Sequence, residues 1–294
     1  VNEASNVPHV GTVQALREIV RGWRRRGETV ALVPTMGALH DGHLELVRLG
    51  HACADRIVVS IFVNPAQFAP HEDFDRYPRT LEADLGRLAT VGCDLAWAPT
   101  VGEMYPAGAA ALATRVQPAG AALGLETDFR PHFFGGVATV CCKLFNQVQP
   151  DLAIYGEKDY QQLAVMRQMV RDLDMPLEIV GAPTVREADG LAMSSRNRYL
   201  TADERRIAPA LNRALVSLAG RLAAEGGGLT GAKAEALAAE AGREIAAAGF
   251  GKIDYIAVRD ADTLAPLGTV RPTALRILAA AWLGKTRLID NIAG

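Results

Sequence analysis

Two histidines three residues apart, His40 and His43, stand in the segment PTMGALHDGH at 34–43. An apolar run at 30–33, a Pro, a Gly and then the histidines read as a parallel strand feeding a helix. On the first turn of that helix both imidazoles share one face. Backbone N–H groups and two ring nitrogens at a helix N-terminus suit the phosphates of a nucleotide. A zinc site is the poorer reading, because no nearby Cys or Glu supplies a convincing third protein ligand. The plain structural alternative is a helix cap plus an incidental histidine. Contact with developing charge on an α-phosphate explains the pair better.

Four further groups of residues have chemical potential. GEKDYQQ at 156–162 places Lys158 at the start of a helix, where a cation opposes the dipole unless an anionic ligand shares that pole; Gln162 lies four residues on, near the same face. MSSRN at 193–197 offers the hydroxyls of Ser194 and Ser195 and the guanidinium fork of Arg196, which suits phosphate, or else an ordinary polar turn. IFVNPAQF at 61–68 sets Asn64 and Gln67 just past an apolar strand, where amides can orient a polar substrate or simply cap a loop. Asp84 falls on an expected helix at 79–91, either as a Mg²⁺ carboxylate or on a solvated face. No base and acid stand beside the serines as in a hydrolase triad. Neither GxxxxGK[ST] nor GxGxxG occurs, which disfavours a P-loop ATPase and a dinucleotide-binding fingerprint.

The elements that must position these residues follow from the pattern. An amphipathic helix spans 12–26, with Val13, Leu16, Ile19, Val20 and Trp23 at helical spacing and Thr12 as its cap. Strands fall at 30–33, 57–63, 94–99, 151–156 and 177–185, and helices at 42–53, 79–91, 136–148 and 157–173. IVVSIFV at 57–63 is a largely apolar run rich in β-branched residues, as in a central strand buried on both faces. The Ala-, Gly- and Pro-rich segment 101–135 reads mostly as loop. The alternation predicts an α/β domain, a Rossmann-like doubly wound parallel sheet over 1–186. Two Ala/Leu-rich helices near 202–224 and 230–248 and strands at 253–259, 273–281 and 286–289 then predict a smaller α+β domain over 187–294.

The chain has 294 residues, 49% hydrophobic and 22% charged, with a formal net charge of −2. That is the composition of a globular protein, and with no basic tract it argues against nucleic acid as the main partner. No run of about 18 uncharged apolar residues occurs, so no membrane span is expected. The N-terminus carries Glu3 and no apolar signal region, so no secretory segment is expected. Cys53, Cys93, Cys141 and Cys142 all sit in apolar surroundings with no CxxC pair and fit buried thiols in a reducing compartment, as in a cytoplasmic protein.

Taken together, PTMGALHDGH, SIFVNPAQF at 60–68, YPRT at 77–80, GEKDYQQL at 156–163, DGLAMSSRNRYL at 189–200 and RLIDN at 287–291 resemble the pantoate–β-alanine ligase family over essentially the full length. HDGH alone resembles only the wider HxGH nucleotidyltransferases. The resemblance implies that pantoate attacks the α-phosphorus of Mg-ATP, giving pantoyl adenylate and pyrophosphate, and that β-alanine then releases AMP and forms pantothenate. It implies that Met36 lies at the ATP-binding turn, that His40 and His43 stabilise the phosphoryl transition state, and that Lys158 holds the phosphates with Asp159 near the nucleotide. It gives Ser194, Ser195 and Arg196 to a phosphate-gripping loop of a closing lid domain, Gln67, Gln162 and Asn64 to substrate, and Asp84 to magnesium. It also implies a homodimer. One stretch departs from the family pattern: RPHFFGG at 130–136 carries its histidine, His132, one position early, with Phe133 in the expected place. Another nucleotidyltransferase, or a nucleotide-binding regulator without catalysis, are the competing readings; the Gln67 and GEKDYQQ matches oppose the first and the intact histidines, Lys158 and SSR oppose the second.

Overall fold

The computed structural model describes residues 7–68, 74–268 and 274–294. The chain packs into two compact units: 1–119 with 130–156 and 165–182, and 120–129 with 157–164 and 183–294.

In chain order, the elements through residue 182 are β1 (His9–Val10), α1 (Val13–Arg25), β2 (Val30–Thr35), α2 (Asp41–Cys53), β3 (Arg56–Ile61), α3 (Leu81–Ala89), β4 (Leu95–Trp97), α4 (Val101–Met104), α5 (Glu126–Phe129), α6 (Phe133–Val148), β5 (Leu152–Gly156), α7 (Tyr160–Asp172) and β6 (Glu178–Ala182). The strands form one six-stranded sheet in the order β1-β4-β3-β2-β5-β6, parallel throughout. β1 is a two-residue edge strand too short to show a period in the sequence. Val30, Ala31, Leu32 and Val33 are wholly buried, as are Ile57, Val58 and Val59. Central parallel strands covered on both faces read this way, as continuous apolar runs. Thr12 caps α1 by accepting from Ala15 N, and Leu16, Val20 and Trp23 form its buried stripe. The strand order reverses between β2 and β5, and in open α/β sheets ligands bind beyond the carboxyl ends of strands at such a switch point. β2 leads into His40 and β5 leads into Lys158.

The second unit carries α8 (Ala202–Ile207), α9 (Ala210–Glu225), α10 (Gly231–Ala247) and the antiparallel sheet β7 (Lys252–Asp260), β8 (Leu275–Leu283), β9 (Thr286–Ala293). The helix expected over 202–224 is two helices. Pro209 precedes α9 and cannot donate the backbone bond that continuity needs. Thr201 and Glu204 close a capping box at α8. Leu211, Leu215, Leu218, Ala241 and Ile245 pack against Ile277, Ala279 and Ala281 of β8. The segment 120–129, read from sequence as loop, belongs to this unit. Glu126 accepts from Tyr255 Oη at 2.8 Å and pairs with Arg287 at 2.8 Å. Gln161 donates to the carbonyls of Ala121 and Gly124 and accepts from Glu126 N, so it secures the same segment.

Candidate active site

The turn between β2 and α2 is built around a buried carboxylate. Gly37 and Ala38 take successive left-handed conformations, φ +80° and +51°. A side chain at 37 would also meet Asp84 Oδ2 at 3.0 Å, so the position wants glycine on both counts. This reversal turns the backbone N–H groups of Ala38 and Leu39 onto Asp84, at 3.0 and 2.8 Å. Thr80 Oγ1 donates to the same side chain at 3.1 Å, and Asp84 is 2% exposed. Gly37 N donates to Thr35 Oγ1 at 3.2 Å. The N–H groups of 37–39 are therefore all taken by protein acceptors.

His40 and His43 lie on that turn with ring centroids 4.0 Å apart. His40 N donates to His43 Nδ1 at 3.2 Å. In a neutral imidazole an accepting Nδ1 leaves the proton on Nε2. His43 is thus held as an Nε2–H donor. The first turn of α2 closes with His43 N donating to His40 O at 2.8 Å.

The amides expected past β3 are buried rather than solvated. Asn64 Nδ2 donates to Gln67 Oε1 at 3.2 Å and to the carbonyl of Gly136 at 3.2 Å. Asn64 Oδ1 accepts from Ala66 N at 3.2 Å and from Tyr105 Oη at 2.9 Å. Burial pushes the Tyr105 phenol well above its ordinary range, which keeps it a donor. Gln67 Nε2 reaches Met36 Sδ at 2.8 Å, so Met36, Asn64 and Gln67 form one chain of contacts. Asn64 thereby acts on Gln67 and on the loop cap at once. The divergent stretch 130–136 supports them from below: Arg130 Nη2 donates to Gln67 O at 3.3 Å and its guanidinium lies 3.9 Å from the Phe133 ring centroid. His132, one position early in the sequence, is exposed and precedes α6. A cleft of about 300 Å³ adjoins the turn, lined by Met36, Gly37, Phe62, Arg79, Asp84 and Val101 among others. Neither histidine nor Gln67 lines it.

The remaining predicted residues belong to the second unit. Lys158 stands on a 3-10 turn, Glu157–Asp159, directly after β5, 3.7 Å from Asp159 Oδ2. Gln162 is half-buried on α7, beside the buried Gln161. Ser194 caps the 3-10 turn Ser195–Tyr199, its Oγ accepting from Arg196 N at 3.2 Å. Ser195 and Arg196 are half-buried. The first unit thus gathers Met36, His40, His43, Asn64, Gln67 and Asp84, and the second carries Lys158, Asp159, Gln162 and Ser194–Arg196.

Asp84, which the family resemblance gives to magnesium, is already engaged by the protein. Its two oxygens accept three protein donors, two of them backbone N–H groups of the turn that carries the histidines. Among the described residues no group of three or more His, Cys, Asp or Glu could hold a metal ion. The role of Asp84 leaves no mark in the sequence because its main partners are backbone N–H groups 45 and 46 residues away. Gln161 carries no signal for the same reason, since its partners are carbonyls of a segment without a periodic pattern.

Sheet order and turn define a doubly wound α/β protein with paired imidazoles at its switch point. The chain belongs to the pantoate–β-alanine ligase family, whose model matches residues 9–293. It is an enzyme, a ligase that condenses pantoate with β-alanine using ATP. It is 58% identical over 283 residues to the pantothenate synthetase of Mesorhizobium japonicum, with 96% of each chain covered. It is 55% identical over 286 residues to that of Caulobacter vibrioides, with 97% of each covered. The crystal structure of pantothenate synthetase from Thermus thermophilus superposes with a TM-score of 0.86 at 47% identity, covering 97% of this chain and 99% of that one. The pantoate–β-alanine ligase of Francisella tularensis, complexed with β,γ-ATP and β-alanine, gives 0.78 at 32% identity, covering 98% and 97%.

Proposed function

We propose that the turn at 34–43 is the adenylation wall of this ligase and that Met36, Asn64 and Gln67 form its pantoate side. The carrying observation is the His40 N–H bond to His43 Nδ1, which holds His43 as an Nε2–H donor. A carboxylate is a poor acyl donor. Attack of a pantoate oxygen on the α-phosphorus of ATP expels pyrophosphate and turns that oxygen into part of a good leaving group. Negative charge grows on the α-phosphate oxygens during attack, and His43 with His40 stabilises it. Lys158 and the Ser194–Ser195–Arg196 loop hold the phosphates, with Asp159 beside the nucleotide; Gln67 and Gln162 orient pantoate. The neutral amine of β-alanine then attacks the acyl carbon and AMP departs. Magnesium bound with ATP would neutralise charge on its phosphates, and Asp84 is the residue of this chain that the family resemblance would place near it. Asp84 also holds the turn, accepting from Ala38 N and Leu39 N. We further assign the enzyme to the cytoplasm, in keeping with four free thiols, and to a homodimer, by family resemblance.

The test is exchange of labelled pyrophosphate into ATP by the whole chain. Exchange that requires pantoate and not β-alanine supports the reading. Exchange without pantoate, or supported equally by unrelated acids, contradicts it.

A further inference from the structure

The dipeptide Asp290–Asn291 belongs to the RLIDN motif, which has no role in the chemistry above, yet both side chains are buried, at 4% and 3% exposure. Consecutive residues of a strand face opposite sides of the sheet. β9 uses this to reach two different segments of the second unit.

On one side, Asn291 Nδ2 donates to the carbonyls of Glu157 and Lys158, at 2.9 and 2.8 Å. Arg276, on the neighbouring strand β8, donates through Nε to Asn291 Oδ1 at 2.7 Å. The same guanidinium pairs with Glu157 at 3.2 Å and lies 4.0 Å from the ring centroid of Tyr160. The amide of Asn291 is fixed by Arg276, and it fixes both carbonyls flanking the Lys158 backbone position.

On the other side, Asp290 takes a bidentate pair from Arg186, at 2.7 and 2.8 Å, and a third bond from Asn212 at 3.2 Å. Arg186 bridges to Ala192 and donates to the carbonyl of Gly190 at 3.0 Å. Met193 N then donates to Val185 O at 3.0 Å, and the chain enters Ser194–Arg196. Asp290 therefore holds the base of the hairpin whose exit is the serine–arginine loop.

We propose that Asp290 and Asn291 are positioning residues that set two phosphate-facing segments from one strand: Asn291 the turn of Lys158, Asp290 the loop of Ser194, Ser195 and Arg196. This rests on the proposed role of Lys158 and Arg196 toward ATP. A carbonyl pair held by a rigid amide fixes the origin of the lysine side chain, and a misplacement of about 1 Å reduces productive geometry steeply.

The experiment is a double-mutant cycle on the full chain, read as the Kd for ATP by calorimetric titration, with the Kd for pantoate as control. Asn291→Ala weakens ATP about 10-fold, the scale of one to two net hydrogen bonds. It leaves pantoate within about twofold, and it adds no more than about twofold in a Lys158→Ala background. Asp290→Asn behaves in the same way against Arg196→Ala. Should Asn291→Ala fail to fold, Arg276→Lys removes the Nε bond to Asn291, keeps the charge, and gives the same pattern. Equal weakening in both backgrounds, or equal weakening of ATP and pantoate, overturns the proposal, because a general loss of structure does this. Lys158→Ala with unchanged ATP affinity removes the reading of Lys158 and the tether with it. A weakened Lys158→Ala beside an unaffected Asn291→Ala removes the tether alone.

Discussion

The backbone N–H of His40 donates to Nδ1 of His43 at 3.2 Å, across one turn of α2. One histidine thereby sets the tautomer of the other. The bond exists because Gly37 and Ala38 reverse the chain just before it and Asp84 holds that reversal.

Nitrogen-15 spectra of the imidazoles above neutral pH should show His43 with a protonated Nε2 and a bare Nδ1. A proton found on Nδ1 of His43 contradicts the hydrogen-bond assignment and removes the donor that the mechanism needs.

Asp84→Asn replaces an acceptor oxygen by an N–H₂ that confronts backbone donors in a buried site. The expected loss of stability is about 1–3 kcal/mol, the range for a buried group left without its partner. Thermal unfolding should come several degrees earlier and adenylation should slow. Excess magnesium should restore neither. Restoration of activity by magnesium at unchanged thermal stability would assign Asp84 to the metal rather than to the turn.

Gly136→Ala tests the pantoate side. A Cβ there would lie 2.2 Å from the Ala66 carbonyl oxygen, so the Pro65–Gln67 turn has to move. Gln67 moves with it, and the KM for pantoate should rise roughly 10-fold or more. The affinity for ATP in the absence of pantoate should stay near wild type. A change confined to ATP contradicts the division of labour between Gln67 and the histidine turn.

The thiols offer a test of packing. Burial pushes Cys93 and Cys141 up to about 12, and both are buried, whereas Cys53, expected from sequence to be buried with them, is exposed. The thiolate is the reactive form. An aromatic disulfide reagent should label Cys53 of the native protein rapidly, Cys142 slowly, and Cys93 and Cys141 only on unfolding. Rapid native labelling of Cys93 would show that the β3–β4 pairing opens.

Much of the first unit is legible in the sequence because its signals are local. Val30–Val33 and Ile57–Val59 announce buried parallel strands by apolar continuity, and Thr12 announces the start of α1. The histidine pair and the amides at 64 and 67 are legible as polar residues just past such strands. The residues that hold them are not. Asp84 sits on an ordinary-looking helix and its partners are backbone groups, which carry no residue signature. Gln161 and Gln162 are adjacent and identical in type, and only tertiary packing gives the first to the 120–129 segment. That segment's place in the second unit depends on Glu126 meeting Tyr255 and Arg287, 129 and 161 residues away. Pro209 is visible in the sequence, and a proline inside an Ala/Leu-rich helical pattern is itself the mark of two helices.

The most direct measurement is single-turnover formation of pantoyl adenylate by His43→Ala under saturating ATP and pantoate. A transition-state contact of this kind is worth roughly 10²-fold or more in rate. The account predicts a loss of that size in His43→Ala, and likewise in Lys158→Ala, with pantoate affinity preserved in both. Adenylate formation at a near wild-type rate in His43→Ala would contradict it.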